Sequence, residues 1–278
     1  MSQLAPRTAI DHVVSADGTR IGFRTSGTGP PLVMVHGGSA DSSVLSKVVP
    51  LLEPHLTVHA MDRRGRGLSD DGASYDVTLE YADVAAVVDA VAERSGQQVS
   101  LYGHSYGALC ALGAARLTTR LDRLFLYEPA FRGVVREADG GLETLDALTA
   151  SGRPDDALEH FYRNLVGMSA AEVAAMRTAP SWAARLAALP ALSRELRVAT
   201  TLDVDAEQLR DLDVPTWCLV GDQSTEGQRT IVSAVHAALP DSRLVPLPGQ
   251  AHAAQITAPE LLADVLLTPA ALPGRSHP

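Results

Sequence analysis

Apolar positions along the chain gather in short runs separated by stretches with helical spacing. The runs are residues 32–35 (LVMV), 56–60 (LTVHA), 99–102 (VSLY), 124–127 (LFLY), 216–220 (TWCLV) and 243–247 (RLVPL). Runs of this length without polar alternation suit strands buried on both faces. Between the second and third runs, Val77, Tyr81, Val84, Val88 and Val91 recur at steps of four and three, which is one face of a helix. Strand and helix therefore alternate. The alternation predicts a mostly parallel sheet with helices on both sides, joined by right-handed crossovers. Near the N-terminus, HVVSADGTRIGF sets Asp17-Gly18 between two strand-like runs and predicts a hairpin.

From about residue 129 to 213 the strand-like runs vanish, and Ala, Leu and Arg dominate segments such as AAEVAAMRTAP and SWAARLAALP. This reads as a helical insertion, cut into several short helices by Pro154, Pro180 and Pro190. Strands resume at Pro215, so the insertion falls between two strands of one sheet. The reading is an α/β fold with a core of residues 1–128 and 214–268, a helical insertion over 129–213 and a Pro- and Gly-rich flexible tail over 269–278. No internal repeat is present.

The length of 278 residues supports a sizeable core, and the formal charge of −10 comes from 33 acidic against 23 basic side chains. Lys47 is the single lysine, and no basic run could neutralise a phosphate backbone or an anionic membrane. Nucleic acid and membranes are therefore not expected partners. No 18 consecutive apolar residues occur, and the start MSQLAPRTAIDHVV lacks an export pattern, so a soluble cytoplasmic protein is expected. Cys110 and Cys218 lie in apolar segments without a second Cys or His at metal-ligand spacing and read as small core residues.

The chemistry concentrates at Gly103-His104-Ser105-Tyr106-Gly107, which follows the strand VSLY and opens the apolar helix ALCALGAARL. This is G-x-S-x-G in the strand-turn-helix context of a nucleophile elbow, with glycines where a side chain would collide with the neighbouring strand or helix. A serine hydroxyl needs a base, and the base needs an acid to orient it. His252 is the best base, because PLPGQAHAAQ follows the last strand-like run and its loop can return over the strand ends. His12, His55, His59, His160, His236 and His277 sit in strand, helix or tail contexts without that logic, and His36 and His104 flank the reacting groups.

With these motifs the chain resembles the α/β-hydrolase family over nearly its whole length. GTGPPLVMVHGG is similar to the family's strand and oxyanion loop, MDRRGRGLSD to its D-x-R-G-x-G-x-S turn, and GHSYG to its elbow. The resemblance implies an oxyanion hole from the backbone N–H groups of Gly38 and Tyr106. It also implies structural roles for Asp62, Arg64 and Ser69. The acid departs from the commoner pattern: the G-x-x-D turn reads Gly221-Asp222-Gln223-Ser224, with Ser224 in the usual slot and Asp222 two positions early. The other location used in the family, as in zearalenone-lactonase-like enzymes, is the end of the strand after the elbow helix, where LFLYEPAF places Glu128. Glu128 is favoured and Asp222 stays open.

A serine at position 105 points to acyl transfer to water on esters, lactones or thioesters. Epoxide hydrolases and haloalkane dehalogenases of the same fold use an aspartate there. Residues 25–29 (TSGTG) lack a following helix and read as a turn, and no metal cluster, phosphate loop or dinucleotide fingerprint appears, so neither cofactor nor metal is inferred. By the resemblance the insertion forms a cap over the serine. Phe131, Phe161, Tyr162 and Trp182 lie in or beside it and are candidate contacts for an apolar small-molecule ester or lactone. Two other readings remain: a lyase or cyclase that borrows the base and oxyanion hole, and a ligand receptor with slow turnover. The sequence implies no oligomeric state.

Overall fold

The strands are apolar on both sides because both sides are covered. In the computed structural model, which describes residues 8–134, 140–179 and 181–269, Val33 and Val35 point into one core and Leu32 and Met34 into another on the opposite face. Leu124 and Leu126 divide from Phe125 and Tyr127 in the same way, as do Cys218 and Val220 from Trp217 and Leu219. This alternation needs a sheet with helices on each face.

Among the described residues that sheet has eight strands: β1 (Ala9–Val14), β2 (Arg20–Gly27), β3 (Pro31–Val35), β4 (Thr57–Met61), β5 (Val99–His104), β6 (Leu121–Tyr127), β7 (Thr216–Gly221) and β8 (Ser242–Leu247). Their order is β1-β2-β4-β3-β5-β6-β7-β8. β2 runs antiparallel to β1 and β4, and every other pairing is parallel. The expected hairpin is β1-β2, with Val14 opposite Arg20 and Gly18 at φ 87° in its turn. All six apolar runs fall in or overlap parallel strands, and the sheet is the mostly parallel one expected.

The helix predicted between the second and third runs is Val77–Ser95. Asp76 caps it by accepting from the Thr78 N–H at 2.8 Å, and Gly96 ends it at φ 67°. Val84, Val88 and Val91 are buried, while Val77 and Tyr81 pack at the margin of the same core. Beside it lies the helix Tyr106–Ala114, whose nine residues are all buried. The opposite face is covered by the last helix, Pro259–Leu267.

Between β6 and β7 the chain forms the helices Gly141–Ala150, Pro154–His160, Ala170–Arg177, Trp182–Ala187, Leu189–Thr201 and Ala206–Leu209, with a π-helical stretch over Phe161–Val166. Pro154 and Pro190 stand in the first turn of their helices, so they start helices rather than cut them. Pro180 and most of the expected tail, residues 270–278, lie outside the described residues. The insertion has its own core, from Leu145 to Leu196. Phe131 and, further on, Ala199, Leu209, Leu212 and Val214 pack instead on the sheet's core.

One buried carboxylate ties this unit to the sheet. Glu195, on Leu189–Thr201, lies 2.7 Å from Arg63 and also receives Arg66. Arg63 in turn donates from Nε to Glu80 at 2.8 Å. The four side chains are buried together, which is tolerable because the opposite charges hydrogen-bond one another. The turn after β4 is held equally firmly: Asp62 accepts from the N–H groups of Ser42 and Leu68, and Arg64 donates to Asp83 at 2.7 Å.

Three outcomes follow. Glu195→Ala leaves Arg66 and part of Arg63 buried without their acid, and urea unfolding should show a loss of about 3–5 kcal/mol, against a much smaller one for the exposed Glu207→Ala. Cys110 and Cys218 are buried, and burial raises both thiols, Cys218 to about 12. Native protein at pH 8 should therefore give no Ellman reaction, and denatured protein two thiols. Burial also lowers His59 to about 4 and His36 well below the usual histidine range. An unfolded chain takes up these protons near pH 6.5, so stability should fall as pH drops below that, by up to about 1.4 kcal/mol per pH unit for each histidine. The His59 contribution is complete near pH 4, and His59→Gln should flatten the urea-midpoint profile between those limits.

Candidate active site

β5 ends at His104 and the helix Tyr106–Ala114 begins two residues later, so the chain reverses at Ser105. Its backbone sits at φ 55° and ψ −122°, a conformation that costs an L-residue about 1–3 kcal/mol. The turn is as tight as the motif predicts. A Cβ on Gly107 would lie 2.3 Å from the His36 carbonyl oxygen, and one on Gly103 would lie 2.5 Å from that of Gly107. The loop after β3 passes over the elbow, close enough that a Cβ on Gly37 would stand 3.0 Å from Ser105 Cβ. Gly38 is next in that loop, and Tyr106 follows Ser105 in the chain.

His36 fixes the start of this loop. Its Nε2 accepts from the Arg63 N–H at 3.1 Å, and its Nδ1 is 2.8 Å from the Gly37 carbonyl, which receives its proton. The ring is therefore neutral, as its burial requires.

Glu128 stands at the end of β6 with φ 48° and no exposure to solvent. Its Oε1 accepts from the Gly221 N–H at 2.8 Å and from the Ser224 hydroxyl, and its Oε2 lies 2.6 Å from His252 Nδ1. A carboxylate only accepts, so Nδ1 carries a proton, and in the neutral ring Nε2 keeps its lone pair. Asp222 is elsewhere: its side chain is exposed and accepts from the Gly249 N–H at 2.9 Å.

The loop that bears His252 is pinned from the same strand end. The Tyr127 hydroxyl donates to the Ala251 carbonyl and accepts from the Ala254 N–H at 3.2 Å. His104 Nε2 donates to the His252 carbonyl at 2.7 Å, and the two rings lie 4.7 Å apart. Burial and the neighbouring His252 push His104 well below the ordinary histidine range, so it stays a neutral donor. These contacts bring Ser105, His252, Glu128, Gly38 and Tyr106 into one locality.

The four candidate aromatic contacts do not share one surface. Phe161, Tyr162 and Trp182 are buried in the insertion's own core, with Tyr162 4.9 Å from Phe161 and 6.4 Å from Trp182. Phe131 is buried in the sheet's core beside Tyr81, Leu109 and Leu202. Among the contacts of the described residues, Tyr162 reaches the loop after β3 through a 2.7 Å hydrogen bond between its hydroxyl and Ser39 Oγ. Arg185 joins the same contact, donating from Nη1 to the Tyr162 hydroxyl at 2.6 Å and to the Ser39 carbonyl at 3.3 Å. Sequence reasoning missed Arg185, whose one signal is a cation inside the apolar helix WAARLA. It also missed the partnership of Ser224 with Glu128, although a hydroxyl in the slot usual for an acid hints at one.

The sequence pattern of the alpha/beta hydrolase family matches residues 32–265. An alpha/beta hydrolase from Sphaerobacter thermophilus has a solved structure that superposes with a TM-score of 0.80 at 33% identity, over 92% of this chain and 98% of that one. A cis-3-alkyl-4-alkyloxetan-2-one decarboxylase from Shewanella oneidensis is 32% identical over 120 residues, 41% of this chain and 37% of that protein's length. The chain thus spans about two fifths of that relative. A pimeloyl-(acyl-carrier protein) methyl ester esterase from Sodalis glossinidius is 28% identical over 255 residues, 85% of this chain and 92% of its own. The relatives are esterases and other hydrolases, along with the decarboxylase. Elbow, sheet order and sequence match agree, and the chain belongs to the alpha/beta hydrolase family.

Proposed function

We propose that the protein is a carboxylic ester hydrolase of the esterase or lactonase type, with Ser105 as nucleophile, His252 as general base and Glu128 as the acid that orients it. The observation that carries this reading is the 2.6 Å bond from His252 Nδ1 to a fully buried carboxylate. It fixes the tautomer whose Nε2 can take a proton. As Ser105 Oγ attacks the acyl carbon, Nε2 takes the hydroxyl proton, and the N–H groups of Gly38 and Tyr106 receive the charge that develops on the carbonyl oxygen. The proton then passes to the departing alkoxide, leaving an acyl-enzyme. Water, activated by the same nitrogen, releases the acid and frees Ser105. Throughout, Glu128 opposes the positive charge of the transient imidazolium.

In this reading the insertion is a cap over the serine, and the Ser39–Tyr162 contact is where cap and oxyanion loop meet. A small to medium ester or lactone with an apolar portion against Phe161, Tyr162 and Trp182 is the substrate class. A second reading is supported by the decarboxylase among the relatives: a non-hydrolytic reaction using the same base. Turnover in oxygen-18 water separates them, since hydrolysis places one labelled oxygen in the released acid.

A fluorophosphonate should label wild-type protein once, at Ser105, and should not label Ser105→Ala. On 4-nitrophenyl esters, Glu128→Gln should lower kcat by about 10⁴ with the fold intact, and Asp222→Asn should change it by less than about threefold. Equal, mild losses in both variants would overturn the assignment of the acid.

A further inference from the structure

Arg185 has a charge problem that the other inward-facing arginines do not. Arg63, Arg64 and Arg66 are each buried against carboxylates, and Arg194 forms a two-point pair with Asp71. Arg185 has no carboxylate within 4.0 Å among the described residues. Its two acceptors, the Ser39 carbonyl and the Tyr162 hydroxyl, are neutral, and its Nε is shielded from solvent without any acceptor. The guanidinium also lies 5.7 Å from the centre of the Tyr162 ring. A half-buried cation held this way is stable but unneutralised.

Its position is as informative as its charge. Ser39 follows Gly38 directly, so Arg185 is anchored one residue from a proposed oxyanion donor. The same charge is felt at His104, the residue before Ser105. Gly38, Ser105, His252 and Arg185 are each partly open, whereas Gly37, Ser39, His104, Tyr106, Tyr162 and Trp182 around them are buried.

We propose that Arg185 is an anion subsite and that the substrate is a half-ester, or a lactone, whose acyl portion carries a free carboxylate a few bonds from the scissile carbonyl. This rests on the hydrolase reading above and narrows its substrate class. One unneutralised guanidinium matches a singly charged, planar carboxylate, while a phosphate dianion would call for further unpaired cations, and Arg63 and Arg66, which also donate to this loop, are already paired with Glu80 and Glu195. The anion would neutralise the charge. It would also fix the acyl chain so that its carbonyl lies at Ser105.

The test compares mono(4-nitrophenyl) glutarate with 4-nitrophenyl pentanoate on wild type, Arg185→Gln and Arg185→Lys. Wild type should prefer the glutarate half-ester by about tenfold to a hundredfold in kcat/KM, chiefly through KM. Arg185→Gln should remove at least tenfold of that ratio, and Arg185→Lys, which keeps the charge without the planar fork, should retain part of it. A wild-type ratio near one, or a ratio that Arg185→Gln leaves unchanged, overturns the subsite and leaves the hydrolase reading standing. Calorimetry of glutarate with Ser105→Ala and with Ser105→Ala/Arg185→Gln adds an arm that needs no turnover. Binding that requires Arg185, in a protein that hydrolyses neither ester, would retain the subsite and overturn the hydrolase reading. Inorganic phosphate binding as tightly as glutarate would overturn the choice of a carboxylate.

Discussion

The candidate site depends on keeping a carboxylate where there is no water. Glu128 is fully buried, and an isolated buried charge is among the costliest groups a protein can hold. It is stable because its oxygens meet three donors: the Gly221 N–H, the Ser224 hydroxyl and His252 Nδ1. One of those donors is the last residue of β7, one lies in the turn that follows it, and one in the loop after β8. The carboxylate therefore joins three strand ends as well as orienting an imidazole. Among the described residues the non-glycine residues at positive φ are Ser39, Ser105 and Glu128. Backbone strain of about 1–3 kcal/mol each persists only where surrounding packing enforces it, and such strain gathers at functional sites.

Two of the contacts that join the helical insertion to this locality have opposite character. Glu195 enters the sheet side as an anion between Arg63 and Arg66 and is fully neutralised. Arg185 enters as a cation and meets only neutral acceptors. The first fixes the insertion against the core. The second leaves one unneutralised charge against the loop that carries Gly38. A structural tie has no need of an unneutralised charge, and this difference is what gives Arg185 its interest.

Much of this was legible in the sequence, for identifiable reasons. Strands such as LVMV and LFLY announce themselves because burial on both faces removes polar alternation. The elbow is visible because Gly103 and Gly107 have no room for a Cβ, so the motif is fixed by sterics. Contacts made across the fold were not legible. Ser224 supports an acid 96 residues away, and Arg185 meets Ser39 across 146. No local pattern encodes such pairs. The aromatic residues illustrate the same limit: clustering in sequence put Phe131 with Phe161, Tyr162 and Trp182, but the first joined the sheet's core and the others the insertion's.

The proton between His252 and Glu128 is the most direct mark of the acid's position. Proton NMR of the native protein should show a far-downfield imidazole N–H resonance that survives Asp222→Asn and disappears in Glu128→Ala. A resonance that persists without Glu128, or that is lost with Asp222, would contradict the placement of the acid at the end of β6.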